Sequence, residues 1–257
     1  MQWNADGVST KGFELREKLL KDDIDICLIQ ESKLRPGDLA QTIKGYAMIR
    51  SDRPGRRAAG GGLLTYIRDS IIFEPLGEGN ADGTEFQTFR VMLNRSRWMD
   101  MANVYVAPSN NTNVEGRTAT LDLAVLPAGN RCVIMGDFNA HSQLWDPIQT
   151  PDERGDAIAD WLVDNDFSLL NDGSTTRHNR ATGRGSTPDL TVCGSWWGAR
   201  SQWRVEEDIG GSDHLPIVTT FTSQIRHQPI QHSAARWKRN NVTGENSKRR
   251  LKTRWTT

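Results

Sequence analysis

The stretch CVIMGDFNAHSQLWD, residues 132–146, runs from an apolar strand-like segment into a carboxylate and an amide two residues apart, Asp137 and Asn139. Side chains alternate along a strand, so two groups at this spacing point the same way. Asp and Asn also favour turns, so the pair could either close a turn or face a substrate. The pattern recurs along the chain. QWNADG ends at Asn4 and Asp6, CLIQES ends at Glu31, ANVYVAPS carries Tyr105, GSTPDLTV starts its strand at Asp189, and GGSDHLPIV sets Asp213 and His214 just before an apolar run. Taken singly, an Asx turn suits Asp6, a loop acid suits Glu31 and a strand-start turn suits Asp213. Taken together, they place polar groups at many strand boundaries, where sheet proteins gather ligands and catalytic groups because loops there vary without disturbing the core.

The residue types narrow the chemistry. Asn4, Asp6, Glu31 and Asp213 offer hard oxygen ligands, with no thiolate or imidazole cluster to favour zinc. A few carboxylates with room for water suit Mg²⁺ at a phosphate site. One histidine beside an acid, with a second acid to orient it, suits charge stabilisation or proton handling. Asp137 with Asn139 suits holding and activating a water for in-line attack on phosphorus.

The elements that must position these groups are mostly strands. STKGFELREKLLKDD reads as a helix with a Ser/Thr start signal. DICLIQE, YAMIRS, GLLTYIRD, FQTFRVML and WMDMANVYV read as strands, several alternating with period two. Helices are expected around Thr118–Leu126 and over RGDAIADWLVDN, residues 154–165, followed by strands at FSLLN, TTRHN, DLTVC, QWRVEE and LPIVTTF. Strands adjoining in runs argue for two packed, mainly antiparallel sheets flanked by helices, against a simple βαβ repeat. The loop SDRPGRRAAGGG, residues 51–62, reads either as a flexible hairpin tip or as a phosphate contact through Arg53, Arg56 and Arg57.

At 257 residues the chain can build one large α/β domain. Its 36% hydrophobic and 25% charged content is ordinary for a globular protein. No apolar run approaches a membrane span and the start MQWNADG has no signal-peptide pattern, so no membrane association and an intracellular, reducing setting are expected. Cys27, Cys132 and Cys193 lie in apolar runs without metal-type spacing and read as buried free thiols. The net charge of +0 hides an asymmetry: from Arg226 onward there are nine basic residues and one acid, which leaves 23 basic against 31 acidic residues before it. A domain over 1–224 followed by a basic arm over 225–257 is the expected organisation, the arm being either a solvated tail or a nucleic-acid contact.

QWNADG, IQES, NVYVAPS, MGDFNAH, STPDLTV and GGSDHLPI, in that order, resemble the endonuclease/exonuclease/phosphatase superfamily, and most closely the apurinic-type endonuclease domain of non-LTR retrotransposons; LNDGSTTRHN and ARWKRNN strengthen the closer match. The resemblance covers about residues 2–222. It implies a four-layer α/β sandwich and a Mg²⁺-dependent endonuclease, with Mn²⁺ able to substitute. It implies Glu31 as the principal metal ligand, assisted by Asn4, Asp6 and Asp213, with Asp137 activating the attacking water and Asn139 orienting it or the phosphate. Tyr105 would donate to a non-bridging phosphate oxygen, and His214, oriented by Asp189, would stabilise the transition state. Ser212 would bond a phosphate or merely close its Gly-Gly-Ser turn, and Thr176 would lie at a substrate-facing position. Apart from the resemblance, Arg56 and Arg57 are the substrate contacts expected if the glycine-rich loop meets phosphate. The product would be a nick in duplex DNA with 3′-hydroxyl and 5′-phosphate ends, made in the nucleus to prime reverse transcription, with the basic arm leading toward a polymerase and offering a contact for element RNA.

Rival readings are an abasic-site repair endonuclease or a phosphatase of the same superfamily, and a non-catalytic nucleic-acid-binding remnant. The short lead before Asn4 and the end soon after the basic arm suggest a fragment of an element, or a gene derived from one, whose first strand is poorly paired. His141, two residues beyond the Asp-Phe-Asn motif, reads equally as a DNA contact and as a structural or surface histidine, while His178 and His232 are not expected to be catalytic. Trp196 and Trp197 read as core residues ahead of a base-stacking role.

Overall fold

The computed structural model describes residues 1–53, 60–81, 83–93, 97–108, 120–207 and 210–222. Arg56 and Arg57, His232 and the basic arm beyond residue 222 lie outside the described residues. One six-stranded sheet has the order β13 (Ser201–Val205), β14 (Ile217–Phe221), β1 (Gln2–Asn4), β2 (Ile26–Gln30), β4 (Leu63–Arg68), β3 (Tyr46–Ser51). The second has the order β5 (Phe73–Ala81), β6 (Thr84–Met92), β7 (Trp98–Val106), β8 (Val133–Asp137), β12 (Asp189–Gly194), β9 (Phe167–Leu169). Every neighbouring pair is antiparallel except β1 with β2 and β7 with β8. A two-stranded ribbon, β10 (Arg177–His178) with β11 (Gly185–Ser186), stands apart from both.

Three apolar clusters explain the layering. Cys27 and Ile29 of β2 pack under Leu15 and Leu19 of α1 (Gly12–Lys21). Ile134 of β8 and Val104 of β7 pack under Ile158 and Leu162 of α2 (Glu153–Asp164). Ile26, Leu28, Phe89, Met101, Val133 and Met135 fill the space between the sheets. Strands buried on both faces need apolar residues on both, which is why β2 and β8 read as unbroken runs. Asp152 caps α2 by accepting from the Gly155 N–H at 2.7 Å, an interaction worth about 1 kcal/mol. Trp197 of the short α3 (Ser195–Gly198) is fully buried in the middle cluster, as a core residue. The three cysteines are buried and free.

Toward one end, the interior between the sheets turns polar. Alternation sets Met101, Asn103 and Tyr105 on the inner face of β7, Met135 and Asp137 on that of β8, and Leu28 and Gln30 on that of β2. Asn103 clamps the sheets: its oxygen accepts from Gln30 at 2.7 Å, and its nitrogen donates to the carbonyls of Ile29 at 3.2 Å and Leu64 at 3.1 Å. Thr65 donates to Gln87 across the same gap at 2.8 Å.

Two elements differ from expectation. Residues 120–126 form no helix: Leu121, Leu123 and Val125 pack with period two against the α2-side cluster, held by Thr84, whose hydroxyl donates to the Thr120 carbonyl and accepts from the Asp122 N–H. Residues 118 and 119 lie outside the described set. Conversely, β5 forms where Pro75, Gly77 and Gly79 argue against a strand, because it is an edge that pairs only with β6 and shifts register between Pro75 and Gly77.

Candidate active site

The two central parallel pairs deliver their polar ends to one place. Asn4 closes β1, Glu31 follows β2, Tyr105 lies opposite Asp137 in the β7–β8 register, and Asp137 lies opposite Asp189 in the β8–β12 register. An open cleft of about 370 Å³ is lined there by Asp6, Glu31, Asp137, Asn139, Asp213 and His214, together with Arg177, Asn179 and Arg180.

Asn4 is buried and ties two carboxylates together: its Nδ2 donates to Asp137 Oδ2 at 2.7 Å and to Glu31 Oε1 at 3.2 Å, while its Oδ1 accepts from the Asp6 N–H at 3.1 Å. The Lys33 ammonium bonds Asp6 and lies 3.3 Å from Glu31 Oε2. Asp6, Glu31 and Asn139 all hold positive φ, at 47°, 49° and 44°. Non-glycine residues avoid this region, and such backbone strain concentrates at functional sites. Asn139 is fixed further by its N–H to Asp137 Oδ1 at 3.0 Å and its Nδ2 to the Val106 carbonyl at 2.9 Å, which leaves its side-chain oxygen as the remaining polar atom.

His214 heads a buried relay. Its Nδ1 is 2.8 Å from Asp189 Oδ2, which also accepts the Thr176 hydroxyl at 2.7 Å, and its Nε2 is 3.9 Å from Asp137 Oδ2. Burial alone would lower the imidazole pKa, but the Asp189 carboxylate, with Asp137 and Asp213 beyond it, carries it up to about 9. Asp137 is pushed up to about 7 by burial and by the charges of Asp189 and Glu31, against the opposing pull of His214 and Asn4. Asp137, Asp189 and His214 are close enough to chelate an ion. The imidazole nitrogen facing Asp189 is already bonded, however, so an acid–imidazole relay fits the geometry better than a metal site. Tyr105 is pushed well above the tyrosine range by burial and by Glu31 and Asp137, so its hydroxyl stays a donor and bonds Glu31.

The donor chemistry fits a hard divalent cation. Glu31, Asp6 and Asp213 supply oxygen at the cleft, and the buried carboxylates beside them leave excess negative charge for a cation to neutralise. Asp213 is held below the usual carboxylate range despite partial burial, because Arg177 Nε bonds its Oδ2 at 2.8 Å.

Some placements differ from the sequence reading. Thr176 is fully buried, with its hydroxyl engaged on Asp189, so it supports the relay from behind and does not face substrate. The Ser212 hydroxyl is buried, donating to the Asn4 carbonyl at 2.7 Å and accepting from the His214 N–H at 3.1 Å, and it pins the Asp213–His214 turn to β1. Lys33 and Arg177 are site residues that sequence reasoning missed, although each lies within two positions of one it found. Glu85 was also missed. It is buried, accepts from the Gly62 N–H at 2.6 Å and pairs with Arg53, whose guanidinium stacks 5.5 Å from the Tyr105 ring.

The endonuclease-reverse transcriptase family profile matches residues 99–218. The probable RNA-directed DNA polymerase from transposon BS of Drosophila melanogaster is 26% identical over 234 residues, covering 88% of this chain and 24% of that protein. The RNA-directed DNA polymerase from mobile element jockey, also of Drosophila melanogaster, is 28% identical over 231 residues, with the same coverages of 88% and 24%. The chain thus spans about a quarter of the length of these relatives. Among solved structures, the endonuclease domain of TRAS1, a telomere-specific non-LTR retrotransposon, superposes with a TM-score of 0.66 at 20% identity, covering 87% of this chain and 97% of that one. The Xenopus laevis APE2 catalytic domain does so with a TM-score of 0.58 at 16% identity, covering 89% and 92%.

Proposed function

We propose that this chain is a member of the endonuclease/exonuclease/phosphatase superfamily and a Mg²⁺-dependent DNA endonuclease, a reading supported by its similarity to retrotransposon endonuclease-reverse transcriptase proteins and by its likeness in fold to the TRAS1 endonuclease domain. It nicks duplex DNA to leave a 3′-hydroxyl that primes reverse transcription by the element. The observation that carries this reading is the relay itself: a buried imidazole held by Asp189, with Asp137 3.9 Å from its other nitrogen.

Glu31, assisted by Asn4, Asp6 and Asp213, would hold the cation, which supplies neutralisation of the charge developing on the phosphate and on the departing 3′ oxygen. Ligation by Asn4 would turn its amide oxygen from the Asp6 N–H toward the ion. Asp137 accepts the proton of the attacking water; a carboxyl raised to about 7 is basic enough for this near neutral pH. Asn139 orients the water through its free amide oxygen. His214, kept cationic by Asp189, faces the phosphate oxygens as charge accumulates on them. Tyr105 donates its hydroxyl to a non-bridging oxygen once substrate displaces its bond to Glu31. Water oxygen joins phosphorus, the bond to the 3′ oxygen breaks, and that oxygen leaves as the hydroxyl after taking up a proton. The reaction takes place in the nucleus, where the duplex target lies, and the basic residues beyond 222 offer a contact for DNA or element RNA.

The test is nicking of supercoiled plasmid with Mg²⁺, with EDTA, and with Asp137→Ala and His214→Ala. Metal-dependent conversion to open circle is expected, with both variants slowed at least about 10²-fold. A folded wild-type protein that leaves the plasmid supercoiled would sink the reading, and cleavage confined to duplexes carrying an abasic site would replace it with a repair activity.

A further inference from the structure

We propose that the loop from His141 to Gln149 grips the duplex beside the cleft, with His141 on a backbone phosphate and Leu144 and Ile148 against the groove. The inference rests on the nuclease reading above and assigns it a substrate-binding element outside the catalytic cluster.

The loop is tied at both ends to the segments that carry the site. It leaves β8 through Asn139, two residues before His141. Trp145 is fully buried beneath it and donates to the Ala140 carbonyl at 3.2 Å. The His141 carbonyl accepts from the Asp152 N–H at 3.0 Å, and Gly155 approaches it so closely that a Cβ there would lie 1.8 Å away. Asp146, whose side chain is 1% exposed, accepts on one oxygen from the Thr187 N–H at 3.0 Å and meets His141 Nδ1 at 2.8 Å. This binds the loop to the segment that enters Asp189 two residues later. At the far end, Gln149 donates to the Gly185 carbonyl of the ribbon at 2.9 Å.

On this fixed frame the exposed groups are of the kinds DNA accepts. The His141 side chain is 30% exposed while its carboxylate partner is enclosed, an arrangement like that of His214 on Asp189 but two residues along the chain from the cleft residue Asn139. With Nδ1 engaged, the other ring nitrogen can donate to a phosphate oxygen when the imidazole is charged. Leu144 and Ile148 are 62% and 68% exposed, on either side of the buried Trp145–Asp146 pair. Single exposed apolar residues are ordinary, but two on an immobilised loop beside a phosphate-binding cleft match the apolar contacts by which proteins engage a DNA groove. Phosphate contacts set register on the duplex without reading its sequence.

The full chain is assayed for binding to a labelled duplex oligonucleotide with Ca²⁺ replacing Mg²⁺, over a range of salt in mildly acidic buffer, and for nicking kinetics. His141→Ala is expected to weaken binding by about 3- to 10-fold and to flatten the slope of log affinity against log salt by about 0.9, the value for one lost phosphate contact. Its nicking defect should lie in KM more than in kcat. Leu144→Ser with Ile148→Ser should weaken binding with the slope unchanged. If the wild type nicks DNA but all these variants bind with wild-type affinity and slope, the loop assignment is wrong and the nuclease reading survives. A wild type that neither binds nor nicks duplex DNA removes both.

Discussion

Glu31 and Asn139 hold left-handed backbone at 49° and 44°, conformations that cost a non-glycine residue of order 1 kcal/mol or more. Their side chains are therefore held in place against local preference by the surrounding sheet ends. His214 is the converse case, a residue whose charge stabilises the fold. Its pKa rises from 6.5 to about 9, so the stabilisation is fully present below pH 6.5 and disappears as pH climbs through 9. For a buried imidazole this amounts to roughly 3 kcal/mol at about 1.4 kcal/mol per pH unit. Urea unfolding of the metal-free wild type and of His214→Gln should accordingly differ most in mildly acidic buffer and converge above the folded pKa. A difference that is constant or widens with rising pH would refute the charged relay. At this scale the sequence was informative about residue type and poor about orientation. Asp189 and His214 fall together as their motifs imply, whereas no sequence pattern tells that the Asn4 amide joins Glu31 to Asp137, or that the Thr176 hydroxyl turns inward.

Among the elements, the β10–β11 ribbon has the clearest mechanical role. Residues 176–178 pair with the segment that carries His214: the His178 N–H donates to the Asp213 carbonyl at 2.8 Å and the Leu215 N–H to the Thr176 carbonyl at 2.7 Å. The ribbon and the relay are thereby one unit. Thr176→Val keeps the shape and removes the donor to Asp189, so we expect a stability loss of about 1–2 kcal/mol and roughly tenfold slower nicking, with duplex affinity unchanged. An unaltered kcat would show that the relay needs no support from behind. Strands with period-two alternation were legible from the sequence because burial imposes that alternation, as in β7. The edge strand β5 was not, since an edge tolerates Pro75 and glycine that an interior strand would reject. The segment from Leu121 to Leu126 misled because clustered leucines satisfy helical spacing as readily as extended packing.

For the whole molecule, charge is the governing feature. Residues 1–225 carry 23 basic and 31 acidic residues, while the remainder carries nine basic and one acidic. An acidic body repels a polyanion, so the proposed duplex binding would have to draw on bound cations, on local basic groups at the cleft such as Arg177 and Arg180, and on the basic arm. A chain ending at residue 222 should bind duplex more weakly, with the slope of log affinity against log salt flatter by about 0.9 for each phosphate contact the arm makes. Identical salt dependence with and without the arm would show that it does not touch DNA. The two-sheet layering was legible at this scale, because strands in adjoining runs have few ways to bury their apolar faces. The cleft was not, since it depends on contacts between residues far apart in the chain.

Those separations bear on when activity can first arise. The Trp3 indole donates to the His214 carbonyl across 211 positions, and the Ser212 hydroxyl reaches the Asn4 carbonyl across 208. β1 itself is three residues long and meets β14 at Gln2 and Ile217. On the ribosome, a nascent chain that has emerged only as far as β12 already holds Glu31, Asp137 and Asp189 but lacks His214 to complete them. The site therefore closes only when nearly all of residues 1–222 have left the exit tunnel, so whatever reaction it carries begins after folding is almost complete.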